Sequence, residues 1–225
     1  MPALTLYRVD GACSIAAHML LRELQLPFTE VVLQRNSDGV YAGPEGSDLT
    51  RELWLKISPT GYVPALTVDG QTIVELSAVL FYIASLTPES GLTGKTPFEA
   101  AKIIEWTSWL GTAIQEYGFA GRWAPTRMVG KEASEEVLDA VREHGKKELL
   151  SGFAMIDSRV QCDGHAVEGH LTVVDFMLHT FWRWGVLSGF DMQQYPKFKA
   201  VAMEVEKLQG VRDALKAEGI ELQFP

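Results

Sequence analysis

The sequence predicts an α+β region followed by an all-α region, and two observations carry that prediction. Up to residue 87, short runs of branched apolar residues alternate with helical spacings. From residue 97 on, strand-like alternation is absent and only three- and four-residue apolar periods remain. Between them Pro88, Ser90, Gly91 and Gly94 mark residues 88–96 as a linker. The expected domains are 1–87 and 97–225.

Each element has its own signal. Residues 4–9 read as a first strand. Gly11-Ala12-Cys13-Ser14 then turns into a helix whose Ala16, Met19, Leu20 and Leu24 share one face. Leu26-Pro27 stops that helix, because proline lacks an N–H and disfavours helix in the residue before it. Residues 28–33 form the second strand. Residues 36–48, rich in Gly, Ser, Asp and Pro, read as a long surface loop. A short helix over 49–56 precedes the Ser58-Pro59-Thr60-Gly61 turn. Residues 65–68 and 72–74 flank Asp69-Gly70, a strong hairpin signal. Pro64 opens the first of these strands, at a position that needs no ladder donor. Val79, Leu80, Ile83 and Leu86 give the next helix its apolar face. Helices are then expected over 97–119, 134–159, 172–184, 195–208 and 211–217. One of them has a complete start signal: Thr172 is an N-cap, Asp175 can return a carboxylate to it, and Leu171 can staple against Phe176.

Composition narrows the function classes. With 47 % hydrophobic and 22 % charged residues over 225 positions, the chain can bury a sizeable core. No apolar stretch approaches the ~18 residues of a membrane span, and no basic-then-apolar leader opens the chain. A net charge of −9 argues against nucleic acid or an anionic membrane as partner. An anionic ligand must then be held by local donors. The two cysteines, Cys13 and Cys162, lie in unrelated patterns, which fits reduced thiols in the cytoplasm rather than a disulfide. Cys162-Asp163-Gly164-His165 has half the pattern of a zinc site, but no second pair stands at zinc spacing and no metal is expected.

The 11–14 turn carries the first chemical signal. It puts Cys13 and Ser14 at a helix N-terminus, where unpaired N–H groups and the helix dipole lower a thiol's pKa from ~8.5. The competing reading of Cys13 is a small buried hydrophobe. Taken together, Gly11-Ala12-Cys13-Ser14, Gly61-Tyr62-Val63-Pro64-Ala65-Leu66 and Glu75-Leu76-Ser77 resemble the cytosolic glutathione transferases, with the closest likeness to the bacterial beta-class pattern. Tyr195-Pro196 and residues 211–215 resemble the family's C-terminal helices, so the likeness spans nearly the whole chain. It implies a thioredoxin-like N-terminal domain and an all-helical C-terminal domain. It also implies a cytoplasmic homodimer that uses glutathione as co-substrate in detoxification, without a metal. The implied reaction transfers or exchanges glutathione at a small, largely apolar electrophile. A glutathione-binding protein with little or no turnover, or a thiol transferase using Cys13, are the alternatives.

The resemblance also implies site residues. Cys13, Tyr7 and Ser14 compete to stabilise the glutathione thiolate, with Cys13 favoured and Tyr7 as a wall or secondary donor; core packing is the other reading of Tyr7. A cis Val63-Pro64 bond is expected, with the Val63 backbone pairing with the cysteinyl part of the tripeptide and Tyr62 beside it. Glu75, the Leu76 N–H and Ser77 are expected at the γ-glutamyl end, and Arg35 at the glycyl carboxylate. Leu76 stands where the family carries a serine, and Gln115 and Glu116 stand where the beta class carries a His-Lys pair. Gln115 can still donate a hydrogen bond. Ser108 matches an asparagine that reaches glutathione from the neighbouring subunit. Tyr117, Phe119 and Trp123 are expected to wall the second-substrate pocket.

Overall fold

In a computed structural model, residues 1–36, 40–161, 164–167 and 169–224 are described. The first unit comprises Met1–Thr93 together with Val205–Pro225, and the second Gly94–Glu204. The linker reading puts one boundary within 88–96; the chain leaves the first unit at Thr93, and the last stretch returns to it.

The first unit begins with β1 (Leu4–Arg8), α1 (Ile15–Glu23) and β2 (Thr29–Val32). A small ladder follows, β3 (Gln34–Arg35) with β4 (Tyr41–Ala42), inside the segment expected to be a loop. Then come α2 (Arg51–Ile57), β5 (Ala65–Val68), β6 (Gln71–Val74) and α3 (Leu76–Ser85). The main sheet has the order β2-β1-β5-β6; β1 and β2 run parallel and the other pairs antiparallel, a thioredoxin-like arrangement.

The pleat sorts the side chains. Val31, Tyr7, Ala65 and Val74 are register partners across the four strands. They form one row, which packs with the fully buried Trp54 of α2. Leu6 and Leu66, one residue along, point to the opposite face and are fully buried. Residues Ile15 to Leu21 of α1 are all buried, because α1 packs against α3 and against the helix Gln209–Ala217 as well as the sheet.

The second unit is helical among its described residues: α4 (Pro97–Trp109), a π-helical stretch Leu110–Ala120, and the short α5 (Gly121–Trp123) and α6 (Thr126–Val129). After these come α7 (Glu135–Arg159) and α8 (Val173–Leu187). The helix expected over 97–119 therefore widens at Leu110, a change that apolar spacing does not reveal. The α8 start is built as its sequence suggests. The Thr172 N–H donates to the Asp175 carboxylate at 2.7 Å, and the Thr172 hydroxyl does so at 3.1 Å. Helix α9 (Pro196–Glu206) ends at the junction of the units, and α10 (Gln209–Ala217) lies in the first. Gly210 lets α10 seat on α1: a Cβ there would lie 2.2 Å from the Glu23 backbone nitrogen.

Candidate active site

The thiol turn is held from inside. The Ser14 hydroxyl is fully buried and sits 3.2 Å from both the N–H and the carbonyl of Val9. It closes the turn rather than facing a ligand. Gly11, at φ +70, gives the turn its left-handed step, and its N–H donates to Glu218 Oε2 at 2.8 Å. Between these anchors the Cys13 thiol donates to the Val63 carbonyl at 3.2 Å. Its side chain is largely buried.

The Val63-Pro64 bond is cis. The loop before it is pinned by α2: Trp54 Nε1 and Arg51 Nη1 both donate to the Gly61 carbonyl, at 3.0 and 3.1 Å, and Ser58 Oγ donates to the Tyr62 carbonyl at 3.0 Å. Tyr7 has its ring centroid 5.4 Å from that of Trp54. It forms an aromatic wall under this loop. Tyr62 is 44 % exposed and meets Tyr41 edge to face.

Glu75 sits at the start of α3 with φ +73 and ψ 122, a conformation an L-residue adopts at a cost of about 1–3 kcal/mol. Such local strain is concentrated at ligand sites. No side chain caps α3, which leaves first-turn N–H groups facing outward beside the exposed Glu75. Leu76 buries its side chain in the core while its N–H stays in that first turn; Ser77 is half-buried next to it. Arg35 is exposed on β3, in register with Tyr41.

Behind the turn lies a charged cluster that the sequence reading does not find. Buried Arg8 donates to Glu30 at 2.6 Å and also to Asp10, with Glu218 3.8 Å away. His18 Nδ1 lies 2.8 Å from Glu218 Oε1, both side chains being fully buried. Arg22 Nε donates to His18 Nε2 at 3.2 Å, so the imidazole accepts at Nε2 and carries its hydrogen on Nδ1. Burial raises the Glu30 carboxyl, but the bonded Arg8 and the nearby Arg22 outweigh it and hold Glu30 below its ordinary range. No local signal marks Glu218, because its partners stand about 200 positions earlier in the chain.

In the helical unit, Ser108 is exposed on α4 and Gln115 is half-buried on the π-helical stretch. Glu116 is paired through both carboxylate oxygens to Arg127 of α6, at 3.1 and 3.0 Å. The sign reversal at this position is thereby locally neutralised. Phe119 is 1 % exposed and packs on Phe153, Phe181 and Trp184. It is a core residue of this unit and cannot serve as an open pocket wall. Tyr117 and Trp123 do present surface, at 56 % and 47 % exposure. Cys162 and Asp163 lie outside the described residues. Among those described, no three His, Cys, Asp or Glu side chains are grouped to hold a metal, and no helix is long and apolar enough to cross a membrane.

A thioredoxin-like sheet with a thiol turn facing a proline-opened strand, joined to a helical unit, defines a class of thiol-handling proteins. Comparison with known proteins specifies it. Residues 11–86 match the family model "Glutathione S-transferase, N-terminal domain". Glutathione S-transferase GstA of Escherichia coli O157:H7 is 27 % identical over 218 residues, spanning 96 % of this chain and 98 % of that protein. Glutathione S-transferase GST-4.5 of Xanthomonas campestris pv. campestris is 26 % identical over 216 residues, 96 % and 98 % of the two chains. A sphingomonad glutathione S-transferase solved with glutathione superposes at TM-score 0.80 with 30 % identity, over 96 % of this chain and all (100 %) of that one. The beta-class enzyme of Sphingomonas chungbukensis gives TM-score 0.81 at 28 % identity, with 96 % and 100 % covered. The chain belongs to the cytosolic glutathione transferase superfamily and is an enzyme of the glutathione S-transferase type.

Proposed function

We propose that the first unit binds glutathione along Cys13, Tyr62, Val63, Pro64 and Glu75, and that the enzyme transfers or exchanges it at a small, largely apolar electrophile. One observation carries the reading: the Cys13 thiol lies 3.2 Å from the Val63 carbonyl, so the thiol turn and the main-chain edge of the proline loop meet at one point. A peptide carrying its own thiol can pair with that edge and present its sulfur to Cys13. Glu75 accepts the γ-glutamyl ammonium, while the Leu76 N–H and Ser77 serve its carboxylate at the uncapped start of α3. Arg35 takes the glycyl carboxylate. Cys13 donates to the thiolate and so increases its population near neutrality. Tyr7 lines the site. Ser14 keeps the turn closed, and Ser108 and Gln115 are supplementary polar contacts, Ser108 through a neighbouring subunit. Tyr117 and Trp123 supply apolar surface for the electrophile. The enzyme works as a cytoplasmic homodimer in detoxification.

The same Cys13 geometry favours a second reading, thiol exchange. Thiolate attack on a glutathione mixed disulfide would form a Cys13–glutathione disulfide and release the substrate thiol; a second glutathione thiolate would then regenerate Cys13 and leave as glutathione disulfide. Turnover with a generic aryl halide and with a mixed disulfide, measured beside calorimetric glutathione affinity, tests both. Aryl-halide turnover supports conjugation, disulfide turnover alone supports exchange, and affinity without either marks a binding protein.

A further inference from the structure

Arg51 opens α2 and donates from one nitrogen, Nη1, to two main-chain carbonyls: Tyr41 of β4 at 3.0 Å and Gly61 at 3.1 Å. The two hydrogens on that nitrogen serve one oxygen each. The two carbonyls belong to segments with different tasks. Tyr41 is the register partner of Arg35 in the β3–β4 ladder, the hairpin assigned above to the glycyl carboxylate. Gly61 precedes Val63 by two residues, and the Val63 carbonyl takes the Cys13 thiol.

The close approach is built in. Gly61 has φ +71, and a Cβ there would lie 2.3 Å from Arg51 Nη2. The guanidinium therefore fills the space any other residue's side chain would need. The Gly61 carbonyl keeps a second donor in Trp54 Nε1, and the next carbonyl along, Tyr62, is held by Ser58. The loop is thus anchored to α2 without Arg51. What the guanidinium adds is the tie from that loop to the hairpin, alongside the edge-to-face contact of the Tyr41 and Tyr62 rings.

We propose that Arg51 is a positioning residue that sets the distance between the β3–β4 hairpin and the Gly61–Val63 loop, and with it the length of γ-glutamyl peptide the site prefers. The inference rests on glutathione being the substrate. A guanidinium is a rigid planar fork and fixes the direction of both carbonyls, which a flexible ammonium does not. A tripeptide must reach from the loop to the hairpin. A dipeptide ending at cysteine meets the loop and the start of α3 but not the hairpin, so its binding does not depend on that distance.

The experiment measures calorimetric affinity for glutathione and for γ-glutamylcysteine in the wild type, Arg51→Met and Arg51→Lys, with circular dichroism and thermal midpoint as controls for folding. Arg51→Met should lose glutathione affinity on the order of tenfold, the scale of one charge-assisted hydrogen bond, and hold γ-glutamylcysteine within about twofold. The preference for the tripeptide then collapses, with KM for glutathione rising while kcat stays, because Cys13 is untouched. Arg51→Lys, which keeps the charge, should shift the same ratio less, and it carries the comparison if Arg51→Met does not fold. Equal loss for both ligands would reduce Arg51 to a structural role and overturn the inference; so would no loss for either. A wild type that binds γ-glutamylcysteine but shows no preference for glutathione overturns it while leaving the thiol site standing. A wild type that binds neither overturns the functional reading itself, and this inference with it.

Discussion

Cys13, Ser14 and Tyr7 are neighbours in sequence and in the site, yet burial separates their tasks. Ser14 spends its hydroxyl on Val9, Tyr7 lies on Trp54, and Cys13 alone directs its polar atom at the proline loop. Cys13→Ala should therefore lower turnover far more than Tyr7→Phe. A hydrogen bond to a charged partner is worth roughly 1.5–3 kcal/mol, which is about one to two pKa units on bound glutathione. The pH dependence of turnover in the two variants checks this; a larger loss in Tyr7→Phe would hand the role to the tyrosine. Glu75 entered through the likeness to the family, whereas the helix start at Cys13 and the strand start at Pro64 were legible because each is a local pattern. The burial of Phe119 was not, since an aromatic on a helix reads the same whether it faces a pocket or Phe153 and Phe181.

Among elements, the start of α8 shows how a local motif acquires a tertiary cost. Thr172 and Asp175 were readable as a capping box, but full burial is a property of the fold, and it pushes the Asp175 carboxyl up to about 6 against the donors from Ala166 and Thr172. In the unfolded chain the same group ionises near 3.8. The sign follows from proton uptake. Below about pH 4 both states are protonated and this group's stabilising contribution is whole. As pH rises towards 6 the unfolded state ionises first, and up to roughly 3 kcal/mol of that contribution is lost. Asp175→Asn should flatten this part of the stability–pH curve, and it should also lower stability throughout, because an amide offers a donor where two N–H groups already point. Urea midpoints between pH 4 and 7 measure both effects; an unchanged slope would count against a neutral acid in the low-pH form. The π-helical stretch left no sequence trace, since its widened turn keeps apolar residues on the buried face much as an α-helix does.

At the scale of the molecule, the C-terminal stretch closes the first unit. Glu218 reaches Gly11, His18 and Arg8, so the end of α10 helps hold the turn that carries the thiol. Glu218→Ala would leave a buried imidazole and a backbone N–H short of their acceptor and remove a carboxylate 3.8 Å from the buried Arg8 guanidinium, a loss of about 3–5 kcal/mol. Glu52→Ala, which removes the exposed Lys56–Glu52 pair, should change stability by less than about 1 kcal/mol. Denaturant midpoints of the two variants measure the contrast, and near-equal values would mean the cluster is not the clasp its burial indicates. The proposed homodimer has its own check: sedimentation at micromolar concentration should give twice the 24.9 kDa chain mass, and a single monomeric species would remove Ser108 from the proposed site.

The sequence by itself determined the four strands of the main sheet and the longer helices in their order, the change from mixed to helical structure, the thiol turn and the proline-opened strand. All of these depend on spacing and on residues whose backbone preferences act within a few positions. The tertiary structure decided which of those residues stay exposed and which face the core. It turned Ser14 and Phe119 inward, paired Glu116 with Arg127, and brought Arg51 to two carbonyls and Glu218 to the first helix. The pairings of Glu116, Arg51 and Glu218 join groups 10 to 200 positions apart. A local pattern carries no record of them, because burial and pairing arise only when the elements pack.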